Sequence, residues 1–97
     1  MEREEYVERV LQVVERVPAG SVTTYGAIAG HIGVGGPRQV GQVMAAYGGS
    51  VPWWRVVRAD GSLPPSNADE ARQRHLEEDT PLRDSGRVDL RAAYWQP

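Results

Sequence analysis

The stretch Val51–Val57, "VPWWRVV", sets two indoles side by side between a proline and an arginine, in a 97-residue chain with three tryptophans and no phenylalanine. Indole offers a broad π face for stacking and one N–H donor, and it is not a nucleophile at neutral pH. The arginine beside it carries a planar fork that pairs with carboxylates and phosphates and stacks on rings. The pair is therefore either the centre of a core or the wall of a binding site. On an extended segment neighbouring side chains point oppositely, so only one of the two can face a pocket. Other chemistry is scarce. The chain has no cysteine, so thiolate attack, disulfides and cysteine zinc sites are excluded. His31 and His75 are too few for a multi-histidine metal site; they read as surface residues, with no cofactor expected.

These residues need elements to hold them. Tyr6, Val7, Val10, Leu11, Val14 and Val17 recur at helical spacing, which predicts an amphipathic helix over 3–17 with a Glu5–Arg9 pair on its outer face. "PAG" at 18–20 ends it. Thr23 or Thr24 can cap a short second helix that stops near Gly33, with Ile28, Ala29 and Ile32 inward. "GVGGP" at 33–37 is a tight turn, and Pro37 suits the first position of a third helix. On that helix Val40, Val43, Met44 and Tyr47 form the buried stripe, at about 100° per residue. The opposite arc holds Arg38, Gly41, Gln42 and Ala45. Gly41 in mid-helix costs roughly 1 kcal/mol against alanine, which points to close approach by something wide and flat.

Two short helices joined by a glycine turn make a helix-turn-helix. "VVRADGSL" then reads as a hairpin whose "DG" suits a type I′ turn, forming a wing. Asn67 or Ser66 caps a last charged helix over 69–79, read as a solvated face. Tyr94 and Trp95 in the tail dock back onto the body. The expected fold is a single domain over 1–97, mainly α with a small β hairpin: a winged helix-turn-helix DNA-binding domain.

Charge distribution supports a DNA-facing middle. The net charge is −2, but between Arg16 and Asp60 there are four arginines (Arg16, Arg38, Arg55, Arg58) and one acid. Five acids lie in 2–15 and seven in 69–89. All eleven basic residues are arginine. No long apolar run and no leader are visible, so a cytoplasmic monomer is expected, associated with the nucleoid in a bacterium.

Three stretches, "VPAGSVTTYGAIA", "PRQVGQVM" and "VPWWRVVRADGSL", in this order and spacing, resemble the DNA-binding domain of O6-alkylguanine-DNA alkyltransferases. The family reads P-C-H-R-V where this chain has Pro52, Trp53, Trp54, Arg55 and Val56. Trp53 at the acceptor cysteine position resembles the alkyltransferase-like proteins, which bind alkylated DNA without repairing it. Dealkylation needs a thiolate and a neighbouring base; here there is neither, because Trp54 stands where the histidine would. The resemblance implies a non-enzymatic protein that enters the minor groove and rotates O6-alkylguanine into a pocket. Thr24, Tyr25, Arg38, Gln39, Gly41, Gln42 and Ala45 would contact DNA. Arg38 would fill the gap in the base stack, and Tyr25 would push the 3′ phosphate. Tyr25, Met44, Trp53, Arg55, Val56 and Ser66 would form the lesion pocket, Trp53 and Val56 partly through their carbonyls. Arg55 has a second reading as a structural ion-pair residue. Two positions depart from the family: Trp54, and Ser66 where some members have a lesion-contacting arginine, so that either the lesion range differs or Arg58 or another arginine replaces that contact. Handover to nucleotide excision repair proteins is implied by the resemblance alone. The rivals are a winged-helix transcription regulator, for which Arg38 and Gln42 are thin base readers, and a degenerate interaction module.

Overall fold

The computed structural model describes residues 1–97. Helix α1 spans Arg3–Arg16 and buries Val10, Val13 and Val14. Strand β1 (Thr23–Thr24) leads directly into α2 (Tyr25–Ile32), whose first free N–H groups are met by the Thr24 hydroxyl, accepting from Ala27 N at 3.1 Å. Gly33 ends α2 at φ +85°, a left-handed conformation glycine takes without a Cβ penalty. Helix α3 (Pro37–Tyr47) starts on the expected proline, and the Gln39 carboxamide oxygen accepts from Gly36 N at 2.9 Å. Packed on α1, these two helices form the helix-turn-helix. Nine buried residues join them in the main core, including Val14, Ile28, Val40, Val43 and Val56.

The wing departs from the expected hairpin. Strand β2 (Val56–Val57) pairs with β1 and runs parallel to it, Thr23 opposite Val56 and Thr24 opposite Val57. The chain does turn after β2, with Gly61 N donating to Arg58 O at 2.8 Å and Arg58 N to Ser62 O at 3.1 Å. Only Gly61 in that loop has positive φ, +83°, so the turn is not the I′ type, which needs two such residues. Beyond Leu63 the chain meets Pro64 and Pro65, which have no N–H to give to a ladder. The returning arm cannot form, and β2 finds its partner elsewhere.

Helix α4 (Ala68–Glu77) and the short α5 (Leu90–Ala93) complete the chain. A second, smaller core of Val22, Val57, Val88 and Ala93 lies beside the first, with Leu63, Leu82 and Leu90 against it. In the tail, Trp95 docks on the main core as expected, while Tyr94 stays 44% exposed. Tyr47, expected in the buried stripe, is 48% exposed because α3 runs one turn past the edge of the core. His75 reverses its expectation more fully: it is completely buried. Helix α4 is polar almost all round, and only Ala71 and His75, four apart, face inward.

Candidate nucleic-acid interface

A cleft of about 790 Å³ opens beside α3. One wall is α3 itself, through Pro37, Arg38, Gly41, Met44 and Ala45, continued by Gly48 and Gly49. The β1–α2 junction supplies Thr24, Tyr25 and Gly26. The far wall is the loop after β2, with Arg58, Ala59, Pro64, Pro65, Ser66 and Asn67, and Trp53 lines the cleft between them.

Trp53 reaches the cleft by a route the sequence did not suggest. Trp53–Arg55 form a 3-10 turn rather than an extended segment. The two indoles nevertheless diverge, with ring centroids 5.8 Å apart and planes at 87°. Trp53 takes the cleft side. The Trp54 ring lies under two guanidinium groups, Arg74 at 4.8 Å and Arg55 at 5.4 Å, a favourable placement over a π face. Its N–H is buried without a hydrogen-bond partner. At the cleft floor Gly48 allows Met44 and Trp53 to come together: a Cβ there would sit 3.1 Å from the Met44 methyl and 3.7 Å from Trp53 Cβ.

The turn is held from behind. Arg55 Nε donates to Glu78 Oε1 at 3.1 Å, its Nη2 donates to Glu78 Oε2, and its Nη1 donates to Val17 O at 2.9 Å. Both side chains of the pair are about 15% exposed. Burial alone would raise the Glu78 carboxyl, but the Arg55 and Gly20 donors and the Arg55 charge hold it below its ordinary value. His75 Nε2 lies 2.7 Å from Trp54 O. A carbonyl can only accept, so Nε2 carries the hydrogen and Nδ1 accepts from the Thr80 hydroxyl at 2.9 Å. Burial pushes the imidazole below its usual value and keeps it neutral.

Of the expected site residues, Thr24, Tyr25, Arg38, Gly41, Met44, Ala45, Trp53 and Ser66 meet at the cleft. Four do not. The Arg55 side chain is committed to Glu78 and Val17. Val56 is fully buried in β2. Gln39 uses its carboxamide oxygen to start α3, and Gln42 is exposed on α3 outside the cleft lining. The cleft also contains residues outside the expected set: Gly48 and Gly49, Pro64, Pro65 and Asn67, and Arg58 as a wall residue rather than a mere substitute. The signal for the loop was present in its two prolines, which fix a stiff rim.

Electrostatically the cleft is one-sided. Arg38 and Arg58 line it, neither has a carboxylate within ion-pair reach, and no Asp or Glu lines it. Burial raises the Tyr25 phenol, with the Arg58 charge opposing in part, so it stays an O–H donor at neutral pH. The hydroxyls of Thr24 and Ser66 have no imidazole or carboxylate in the lining to activate them. Such a cleft can stack, hydrogen-bond and attract negative charge; it offers no activated nucleophile.

A helix-turn-helix with a cleft beside its second helix narrows the class, and sequence comparison names it. Residues 5–80 match the DNA binding domain of 6-O-methylguanine DNA methyltransferase, and the chain belongs to that family. Its similarities there run to the alkyltransferase-like and base-flipping proteins. It is 39% identical over 101 residues to the DNA base-flipping protein of Escherichia coli K12, covering 98% of this chain and 78% of that one. It is 35% identical over 77 residues to Alkyltransferase-like protein 1 of Schizosaccharomyces pombe, covering 76% of this chain and 71% of that one. The fold superposes on S. pombe Atl1 in complex with damaged DNA containing O6-carboxymethylguanine, with a TM-score of 0.88, 29% identity and all of both chains covered.

Proposed function

We propose that this chain binds duplex DNA containing O6-alkylguanine through the minor groove, rotates the damaged base into the cleft and releases it chemically unchanged. The observation that carries this reading is the cleft itself: an indole, a thioether and a phenol beside two unpaired arginines, with no activated nucleophile among them. The relatives' names and the damaged-DNA complex of the similar structure support the same reading.

Each residue then has a task. The small face of α3, Gly41 and Ala45, admits the sugar-phosphate edges of the groove; a Cβ at Gly41 would meet nothing within 4 Å. Arg38, exposed at the start of α3, enters the gap left by the rotated base. Tyr25 and Thr24, at the start of α2, meet the backbone 3′ to it. Met44 packs against the guanine, and Trp53 walls the space for its alkyl group, standing where the alkyl-accepting cysteine of the repairing relatives would be. The guanine amino group donates to the carbonyl of Trp53, whose oxygen has one lone pair engaged by Val56 N–H and another left. Ser66 and Arg58 face the substituent. The protein acts as a non-enzymatic marker that hands the lesion to nucleotide excision repair proteins.

Incubation with a duplex carrying a radiolabelled O6-methyl group tests the chemistry. The whole label is expected to stay on the DNA at saturating protein, with the duplex fully recoverable. Label on the protein would overturn the reading.

A further inference from the structure

The cleft lies on a seam between the two cores. Its α3 wall rests on the main core, through Val40 and Val43. Its other wall rests on the second core: Val57 immediately precedes Arg58, and Leu63 immediately precedes Pro64. That second core is completed from residues 81–97, through Val88 and Ala93. These residues lie past the end of the matched domain.

The tail grips both sides of the seam. Val88 N donates to Gly61 O at 2.9 Å. The approach is so close that a Cβ at Gly61 would overlap Val88 O. Further on, Val22 N donates to Ala93 O at 2.9 Å and Trp95 N to Val22 O at 2.7 Å. Val22 is buried three residues before Tyr25. The Trp95 ring then packs on the main core. One segment thus touches the supports of Tyr25, of Arg58 and of the proline rim, and crosses to the opposite core.

We infer that residues 81–97 are a brace that sets the width of the cleft, with Trp95 as the positioning residue that fastens it across the seam. This rests on the proposed function of the cleft. A cleft with a free seam would still meet DNA through Arg38 and α3, but its walls would not close on a rotated base. The brace therefore acts on lesion preference and not on duplex binding as such.

Wild type, Trp95→Ala and Trp95→Phe are compared on a duplex with one O6-methylguanine and on the same duplex unmodified. Trp95→Ala is expected to lose at least tenfold on the modified duplex and less than twofold on the plain one, with Trp95→Phe recovering most of the loss. A folded Trp95→Ala that keeps the wild-type ratio, or loses equally on both duplexes, overturns the brace alone. A wild type that does not distinguish the duplexes overturns the functional reading and the brace with it. Should Trp95→Ala fail to fold, amide exchange on the wild type decides. The Val22, Val88 and Trp95 amides should be slowed more by the modified duplex than by the plain one, and equal protection overturns the brace.

Discussion

At Gly41 the protein forgoes stability that nothing inside it requires it to forgo. The helix interior disfavours glycine and the space beside it is open. Gly41→Ala is therefore expected to stabilise the free protein by about 0.5–1 kcal/mol while weakening binding to the modified duplex, read by denaturant melts and by titration. A gain in both would mean that α3 does not approach DNA there. Arg38→Ala and Tyr25→Ala are expected to weaken lesion binding at least tenfold with melting curves unchanged for Arg38. Wild-type affinity in both would remove their roles in base rotation. Trp53→Cys should not restore alkyl transfer, because no imidazole or carboxylate lines the cleft beside it; methyl label on the new thiol would contradict this. Type and place alone marked Gly41, a glycine where a helix disfavours it, and the indole pair as candidates; the other expected residues that line the cleft were placed by the family resemblance. Of the two readings of Arg55 the structure shows the ion pair, with Glu78, a partner that no linear sequence names; nor does a linear sequence reveal that the Gln39 oxygen accepts from Gly36 N–H.

The element on which the cleft most depends is α4, which lines none of it. Through His75, and through Glu78 at its C-terminal cap, it holds the Trp53–Arg55 turn by the backbone of Trp54 and the side chain of Arg55. Glu78→Gln is expected to cost about 2–3 kcal/mol, below the range for a fully buried pair because both side chains keep some solvent. A loss under about 0.5 kcal/mol in urea unfolding would show the pair to be no more than a surface bridge. The histidine gives a pH signature. Its native pKa is depressed, so the unfolded chain takes up a proton first, near the ordinary 6.5, and stability falls as pH drops below that value. Glu78, also depressed, adds its own loss only at lower pH, through the carboxylate range. The thermal midpoint should drop between pH 7 and 5.5 in the wild type and much less in His75→Leu. Equal slopes would assign the dependence to other groups. The helices were readable from period and punctuation, with Pro37 and Thr24 marking starts and Gly33 a stop. The hairpin was misread because a favourable turn dipeptide says nothing of the two prolines that deny its second strand, and the parallel pairing joins segments far apart in sequence.

Across the whole molecule, charge separates the DNA face from the rest. The acids gather on α1 and on residues 69–89, while the cleft holds two unpaired arginines and no acid. So few cations facing the phosphates imply a shallow salt dependence, about −2 to −4 in log affinity against log salt, at about −0.9 for each phosphate. No helix is long and apolar enough to cross a membrane. A cleft built for a damaged base and not for DNA in general must distinguish the two in a binding titration. A duplex with a single O6-methylguanine is compared with its unmodified twin in a band-shift titration at the same salt. At least a tenfold preference for the modified duplex is expected; a preference below about threefold, roughly 0.65 kcal/mol, would mean that the cleft does not read the lesion.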